Sequence, residues 1–237
     1  MPPLQAHNLT MKFKDKMLFH IPKLQLMPNE AVYLRGDNGV GKTTLLKILS
    51  GLLQPTSGQL NCQQSRLSRW LSPNKHRIVY LHQSPYLFDN TVFNNVLYAI
   101  RFSSYSHKEK RAQVISALRK VGLETLAKEH VSVLSGGEKQ RIAMARAWVT
   151  KPNILLMDEP SSSLDIESIS RLHILAKELL ENGASVVITS HQQNELTQLC
   201  TKQWWIKNHT LVESPVLQVI QASQPQPQQP FIQTDFV

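Results

Sequence analysis

The 237-residue chain is long enough to bury a substantial core, and 41% hydrophobic with 18% charged residues is the balance of an ordinary folded domain. No run of about 18 apolar residues occurs, which excludes a membrane-spanning helix. The formal charge of +9 is compatible with nucleic acid, a membrane surface or an anionic ligand, but the lysines and arginines are scattered with no basic block interleaved with aromatics, so a nucleic-acid partner is not expected and docking on a membrane partner accounts for the charge equally well.

The opening stretch MPPLQAHNLTMKFKDK has no apolar block of the secretory type, so the expected location is the cytosol. From Leu4 to about Met27 apolar and polar side chains alternate, as in HNLTMKF and MLFHIPKLQL, which predicts half-exposed antiparallel strands. The period then changes. Short apolar runs at Ala31–Leu34, Ile78–Leu81, Ile154–Met157 and Val186–Thr189 predict strands buried on both faces. Helices are predicted from Lys42 to about Leu53, over His107–Val121, over Glu138–Val149 and over Ile166–Glu181, the last closed by Asn182-Gly183. The alternation predicts an α/β fold with a parallel-sheet core, preceded by an antiparallel β subdomain. From about Pro85 to Val133 mostly helical material interrupts it, as an inserted helical subdomain would. Residues 214–237 are Gln/Pro-rich and too poor in apolar surface to fold alone, so the expected domain covers 1–213 and the remainder is a tail. Cys62 and Cys200 lie far apart with no CxxC neighbour, which argues against a disulfide framework and a zinc site.

The strongest chemical signal is Gly36-Asp37-Asn38-Gly39-Val40-Gly41-Lys42-Thr43, which follows an apolar strand and opens an apolar-periodic helix. That context is the one a P-loop needs. Glycines let the backbone curl its N–H groups onto phosphate oxygens, and the helix N-terminus adds a favourable dipole. Lys42 is then placed for the β- and γ-phosphates, the Thr43 hydroxyl for Mg²⁺ and Thr44 for a further phosphate hydrogen bond.

A second signal is the run ILLMDE, a buried strand ending in Asp158 and Glu159. Magnesium carried on a nucleotide needs a hard oxygen ligand at a strand end, the task assigned to Asp158. Glu159 is the expected general base, because neighbouring acids at a strand end diverge, one toward the metal and one toward the attacking water. A loop acid pair before Pro160 is the alternative reading, and the P-loop weighs against it.

The third signal, Leu134-Ser135-Gly136-Gly137-Glu138-Lys139-Gln140-Arg141, separates one class of P-loop ATPase from the rest. Ser135 and Glu138 are explained by a helix-capping box. Gly136-Gly137 are not, because glycine costs a helix about 1 kcal/mol relative to alanine, and approach of an anion to bare backbone N–H groups supplies a reason for them.

LSGGEKQR resembles the signature motif of the ABC ATPases, and the resemblance extends from about Leu4 to Val212. It implies that Ser135, Gly136 and Gly137 of one cassette touch the γ-phosphate of an ATP on the P-loop of a second copy, giving a head-to-tail homodimer. Gln83, in LHQSPYLF, resembles the Q-loop glutamine that senses Mg²⁺ and the attacking water. His191, in ITSHQ, resembles the switch histidine that contacts the γ-phosphate. The resemblance therefore groups Glu159, His191, Gln83 and Lys42 as catalytic and Thr43, Gln83 and Asp158 as the Mg²⁺ set. Ser161 to Asp165 resembles the D-loop at the dimer interface, with Asp165 equally readable as a helix N-cap. Phe13 sits where the family puts the aromatic that stacks on adenine; an ordinary strand aromatic is the other reading.

Without a span of its own, such a cassette implies separate transmembrane permease subunits and a peripheral place on the inner face of the cell membrane. The permease contact is implied beside Gln83, over Ser84-Pro85-Tyr86-Leu87-Phe88, where core packing of the helical insert is the alternative. A stand-alone cassette resembles the ATPase of a bacterial importer, which implies an extracytoplasmic solute-binding protein. The run LHQSPYLFDNTVFNNVLYAIR resembles cassettes of oxyanion importers, the phosphate and molybdate/tungstate groups, with tungstate favoured. A two-component exporter and a soluble non-transport ABC ATPase remain the alternatives.

Overall fold

The computed structural model describes residues 3–61, 77–162, 164–190 and 193–216. The N-terminal alternation folds into a hairpin, β1 (Leu4–Phe13) and β2 (Lys16–Leu26), paired antiparallel from Leu4↔Leu26 to Phe13↔Lys16. The strand β4 (Ser57–Leu60) adds to β1 to give a three-stranded sheet. Alternate positions Leu4, Ala6, Leu24 and Leu26 are buried, as period-two patterning requires.

The second sheet has the order β5-β6-β7-β3-β8-β9, built from β5 (Ile78–Leu81), β6 (Ile154–Met157), β7 (Ser185–Thr189), β3 (Ala31–Arg35), β8 (Lys202–Lys207) and β9 (Thr210–Pro215). Neighbours from β5 through β8 run parallel and β9 closes the edge antiparallel. The continuous apolar runs are explained by burial on both faces. In β6, Ile154 and Leu156 enter the core shared with the three-stranded sheet, whereas Leu155 and Met157 enter the core beneath the helices.

Five helices of eight residues or more are described: α1 (Lys42–Leu49), α2 (Val92–Ile100), α3 (His107–Lys120), α4 (Gly136–Val149) and α5 (Ile166–Glu181). A single turn, α6 (Glu195–Gln198), follows β7. Helix α1 stops short of the expected Leu53 because Gly51 adopts φ 77° and Leu52 N–H turns back onto the Lys47 carbonyl. Helix α4 starts two residues before Glu138, since Ser135 caps it and Glu138 reaches back to the Ser135 N–H at 2.8 Å.

Within the stretch expected to be helical, α2 and α3 pack with α4 around Val96, Val114, Leu118 and Met144. Strands β4, β8 and β9 carry no period strong enough to be read from sequence. Strand β8 is anchored by the fully buried Trp204, whose indole N–H donates to Glu213 across the β8–β9 pair at 3.2 Å. The Gln/Pro-rich stretch after Val216 lies outside the described residues.

Candidate functional site

A cavity of about 550 Å³ opens where β3, β5 and β6 end, lined by Phe13, Lys16, Leu18, Asn38, Gly39, Gly41, Lys42, Thr43, Thr44, Gln83 and Glu159. Ligands of parallel α/β sheets bind beyond the carboxyl ends of the strands, and this cavity has that place. Residues read from separate stretches of sequence thus meet on one wall: the β3–α1 loop, Gln83 after β5 and Glu159 after β6.

The loop's shape follows from its glycines. Gly41 has φ 110°, and a Cβ there would sit 2.8 Å from Leu18 Cδ2 and 3.0 Å from Phe19 Cδ1. Gly36 is closed in by Val40, whose Cγ1 would lie 2.6 Å from a Cβ at that position. As N-cap of α1, Gly41 offers no side-chain cap, so the N–H groups of the first turn remain available to an anion. Lys42 is 8% exposed, and its Nζ donates to the carbonyls of Gly36 at 2.7 Å and Asp37 at 3.0 Å. A desolvated cation held by main-chain carbonyls beside bare N–H groups fits the phosphate chain of a nucleotide. Gly36, Asp37 and Val40 shape the loop and are not part of the cavity wall.

Glu159 lines the cavity with a backbone φ of 47°, the left-handed region that a β-carbon disfavours. Its N–H donates to Thr189 Oγ1 at 2.8 Å. Asp158 is 4% exposed and lies behind the wall, its Oδ2 accepting from the Tyr80 hydroxyl at 2.8 Å and its Oδ1 from the Thr189 hydroxyl at 2.9 Å. Burial, and then the bond to Asp158, push the Tyr80 phenol above its ordinary value, so it stays a donor. Gln83 Nε2 makes a long contact of 3.5 Å to Ser162 Oγ, and Ser161 Oγ accepts from Asn194 Nδ2 at 2.9 Å.

Phe13 is 52% exposed at the cavity mouth beside Lys16 and Leu18, which sequence reading did not single out. The signal for them was the hairpin register, Phe13↔Lys16. Asp165 is the N-cap of α5, accepting from Ser168 N–H at 2.8 Å, and hydrogen bonds from Ser168 hold its carboxyl below the usual range. Neither Asp165 nor Ser135, Gly136 and Gly137 lines the cavity. Ser135 and Gly136 are exposed at the start of α4, with no atom within 4 Å of a Cβ built on Gly136. His191 lies outside the described residues.

A separate groove of about 300 Å³ runs between β5 and α4, lined in part by Pro85, Tyr86, Ala143 and Arg146. Tyr86 is 77% exposed, while Phe88 packs against Tyr98 with ring centroids 4.3 Å apart and planes tilted by 48°. The stretch Ser84–Phe88 is therefore divided between an open face and packing.

A family model described as ABC transporter matches residues 19–162. The chain is 34% identical over 196 residues to the spermidine/putrescine import ATP-binding protein PotA of Legionella pneumophila (strain Paris), covering 82% of this chain and 54% of that protein. It is 32% identical over 200 residues to the methionine import ATP-binding protein MetN of Carboxydothermus hydrogenoformans, covering 82% and 59%. The chain spans about half the length of the curated relatives it matches. Among solved structures, a dimeric post-hydrolysis ATP-binding cassette bound to ADP and phosphate superposes with a TM-score of 0.76 at 26% identity, over 90% of this chain and 98% of that one.

Proposed function

The chain belongs to the ABC transporter ATPase family, and from that premise we propose that it is the subunit that binds and hydrolyses ATP to energise solute import through a separate membrane permease. The observation that carries this reading is the single cavity on which Lys42, Thr43, Gln83 and Glu159 converge. In the proposed reaction the first-turn N–H groups and Lys42 hold the β- and γ-phosphates, and Phe13 covers the base. Mg²⁺ bound with the nucleotide supplies positive charge to the phosphate oxygens. Thr43, Gln83 and Asp158 are the residues that would hold it, Thr43 and Gln83 from the cavity wall and Asp158 from behind it. Glu159 accepts a proton from the attacking water, and the switch-histidine role assigned to His191 rests on the family resemblance alone. Positioning and charge carry the catalysis, as phosphoryl transfer requires.

Two copies complete each site, because the glycine-rich start of α4 at Ser135–Gly137 is suited to a phosphate and does not line the chain's own cavity. Asp165 and its loop take part in that contact. The groove beside Tyr86 is the proposed permease seat, which places the protein peripherally on the inner face of the membrane, with a solute-binding protein on the far side. The Gln83 region supports an oxyanion such as tungstate as cargo, while the names of PotA and MetN favour a polyamine or an amino acid. Uptake of tungstate, spermidine and methionine by cells with and without the gene separates these.

The test of the ATPase reading is turnover against protein concentration for the parent and Glu159→Gln, with sizing in MgATP. Loss of turnover with an ATP-stabilised dimer supports it. Unchanged, concentration-independent turnover by a monomer sinks both the base and the two-copy site.

A further inference from the structure

Strand β6 lies between β5 and β7, and the carboxylate that follows it is gripped from both sides. Tyr80 on β5 reaches Asp158 Oδ2 and Thr189 on β7 reaches Oδ1, at 2.8 and 2.9 Å. Each bond takes one lone pair of its oxygen and leaves the other. The two donors therefore fix the rotation of the carboxylate and the direction of the lone pairs that remain. The Thr189 hydroxyl does a second task with the same oxygen, accepting the Glu159 N–H at 2.8 Å. That bond pins a residue whose φ of 47° would otherwise relax, and it does so from a side chain with 0% exposure. The Tyr80 hydroxyl in IVYL and the Thr189 hydroxyl in SVVIT are costly to bury unless partnered, and their partners here are the acid pair.

We propose that Tyr80 and Thr189 are positioning residues for nucleotide-bound Mg²⁺: a clamp from the two flanking strands that aims Asp158 and holds the Glu159 backbone, resting on the ATPase reading above. Neither residue lines the cavity. Tyr80 itself lines the groove beside Tyr86, together with Val79 and Leu81 of the same strand, so the grip on Oδ2 belongs to the element that a partner in that groove would press upon.

The test uses Tyr80→Phe, Thr189→Val and the conservative Thr189→Ser in the full chain, with affinity for a fluorescent ATP analogue measured in EDTA and across a Mg²⁺ titration. Losing one charge-assisted bond should raise the Mg²⁺ concentration for half-maximal effect roughly three- to tenfold in Tyr80→Phe and Thr189→Val. Affinity in EDTA should stay unchanged, and Thr189→Ser should restore the parent's Mg²⁺ response. Parental Mg²⁺ dependence in every variant, or an equal loss with and without Mg²⁺, overturns the assignment, including where the variants are merely less stable to heat. A parent that binds the nucleotide without any Mg²⁺ response removes the ATPase reading and this inference with it.

Discussion

Lys42 Nζ donates to the Gly36 carbonyl at 2.7 Å, so the loop that begins six residues earlier is what holds the cation at the cavity. The ammonium is 8% exposed and is held in place by main-chain oxygens, which is how a phosphate-binding group is kept in position. Lys42→Ala is expected to weaken binding of a fluorescent MgATP analogue by about ten- to a hundredfold, the range for losing hydrogen bonds to a charged partner. Binding at parental affinity would mean that this lysine only braces the loop.

The two glycines that line the cavity differ in what surrounds them. Gly41→Ala would force a Cβ to within 2.8 Å of Leu18 while holding φ at 110°, whereas Gly39 has φ 76° and nothing within 4 Å. Gly39→Ala should cost about 1 kcal/mol of backbone strain and Gly41→Ala about 2–4 kcal/mol, because packing strain is added. Urea unfolding of both variants measures the gap, and equal losses would show that Leu18 and Phe19 yield freely.

A site shared between copies makes a prediction about mixtures. Lys42→Ala removes one side of each site, and Ser135→Arg, at an exposed position, removes the other. Each variant alone should lack turnover. An equal mixture should recover part of it, because the mixed dimer contains one site built from the intact loop of one chain and the intact turn of the other. No recovery at any ratio, with mixed dimers detected by crosslinking, counts against a head-to-tail arrangement.

The fully buried Cys200 thiol is pushed up to about 12 by burial. In a Cys62→Ser background it should resist a thiol reagent at pH 8 in the folded protein and react once the protein is unfolded. The sign of the linkage is definite. A thiol whose folded pKa lies above its unfolded value of 9.0 contributes stability that is complete below pH 9 and is lost as pH rises toward 12. Burial raises the Tyr33 and Tyr80 phenols in the same direction, so Cys200→Ala should shrink the alkaline loss of stability without abolishing it. Chemical denaturation at pH 8 and pH 10.5 measures the difference.

Much of the fold was legible because its constraints are local. A tight turn onto a phosphate demands glycines at fixed offsets, a strand covered on both faces demands an unbroken apolar run, and Ser135 with Glu138 marks a helix start within four residues. Strand β8 was not legible. KQWWIK points one tryptophan inward and the next outward, and only its pairing with β3, as in Leu34↔Trp204, makes it a strand. The same limit applied to Lys16 and Leu18, which the β1–β2 hairpin brings to the cavity mouth.

The sequence by itself determined the family, the parallel sheet and the identity of the phosphate loop and acid pair, since each is written in contiguous residues whose backbone needs fix their type. Tertiary structure decided which groups share a wall, where the family resemblance had supplied only an expectation. It brought Gln83 and Glu159 to the cavity, set Ser135–Gly137 off it, and put Tyr80 and Thr189 on the two oxygens of Asp158. The reason is the order of the sheet. Strands far apart in the chain become neighbours about 4.8 Å apart only when hydrogen bonding joins them, and no local pattern in β5 or β7 records that β6 lies between.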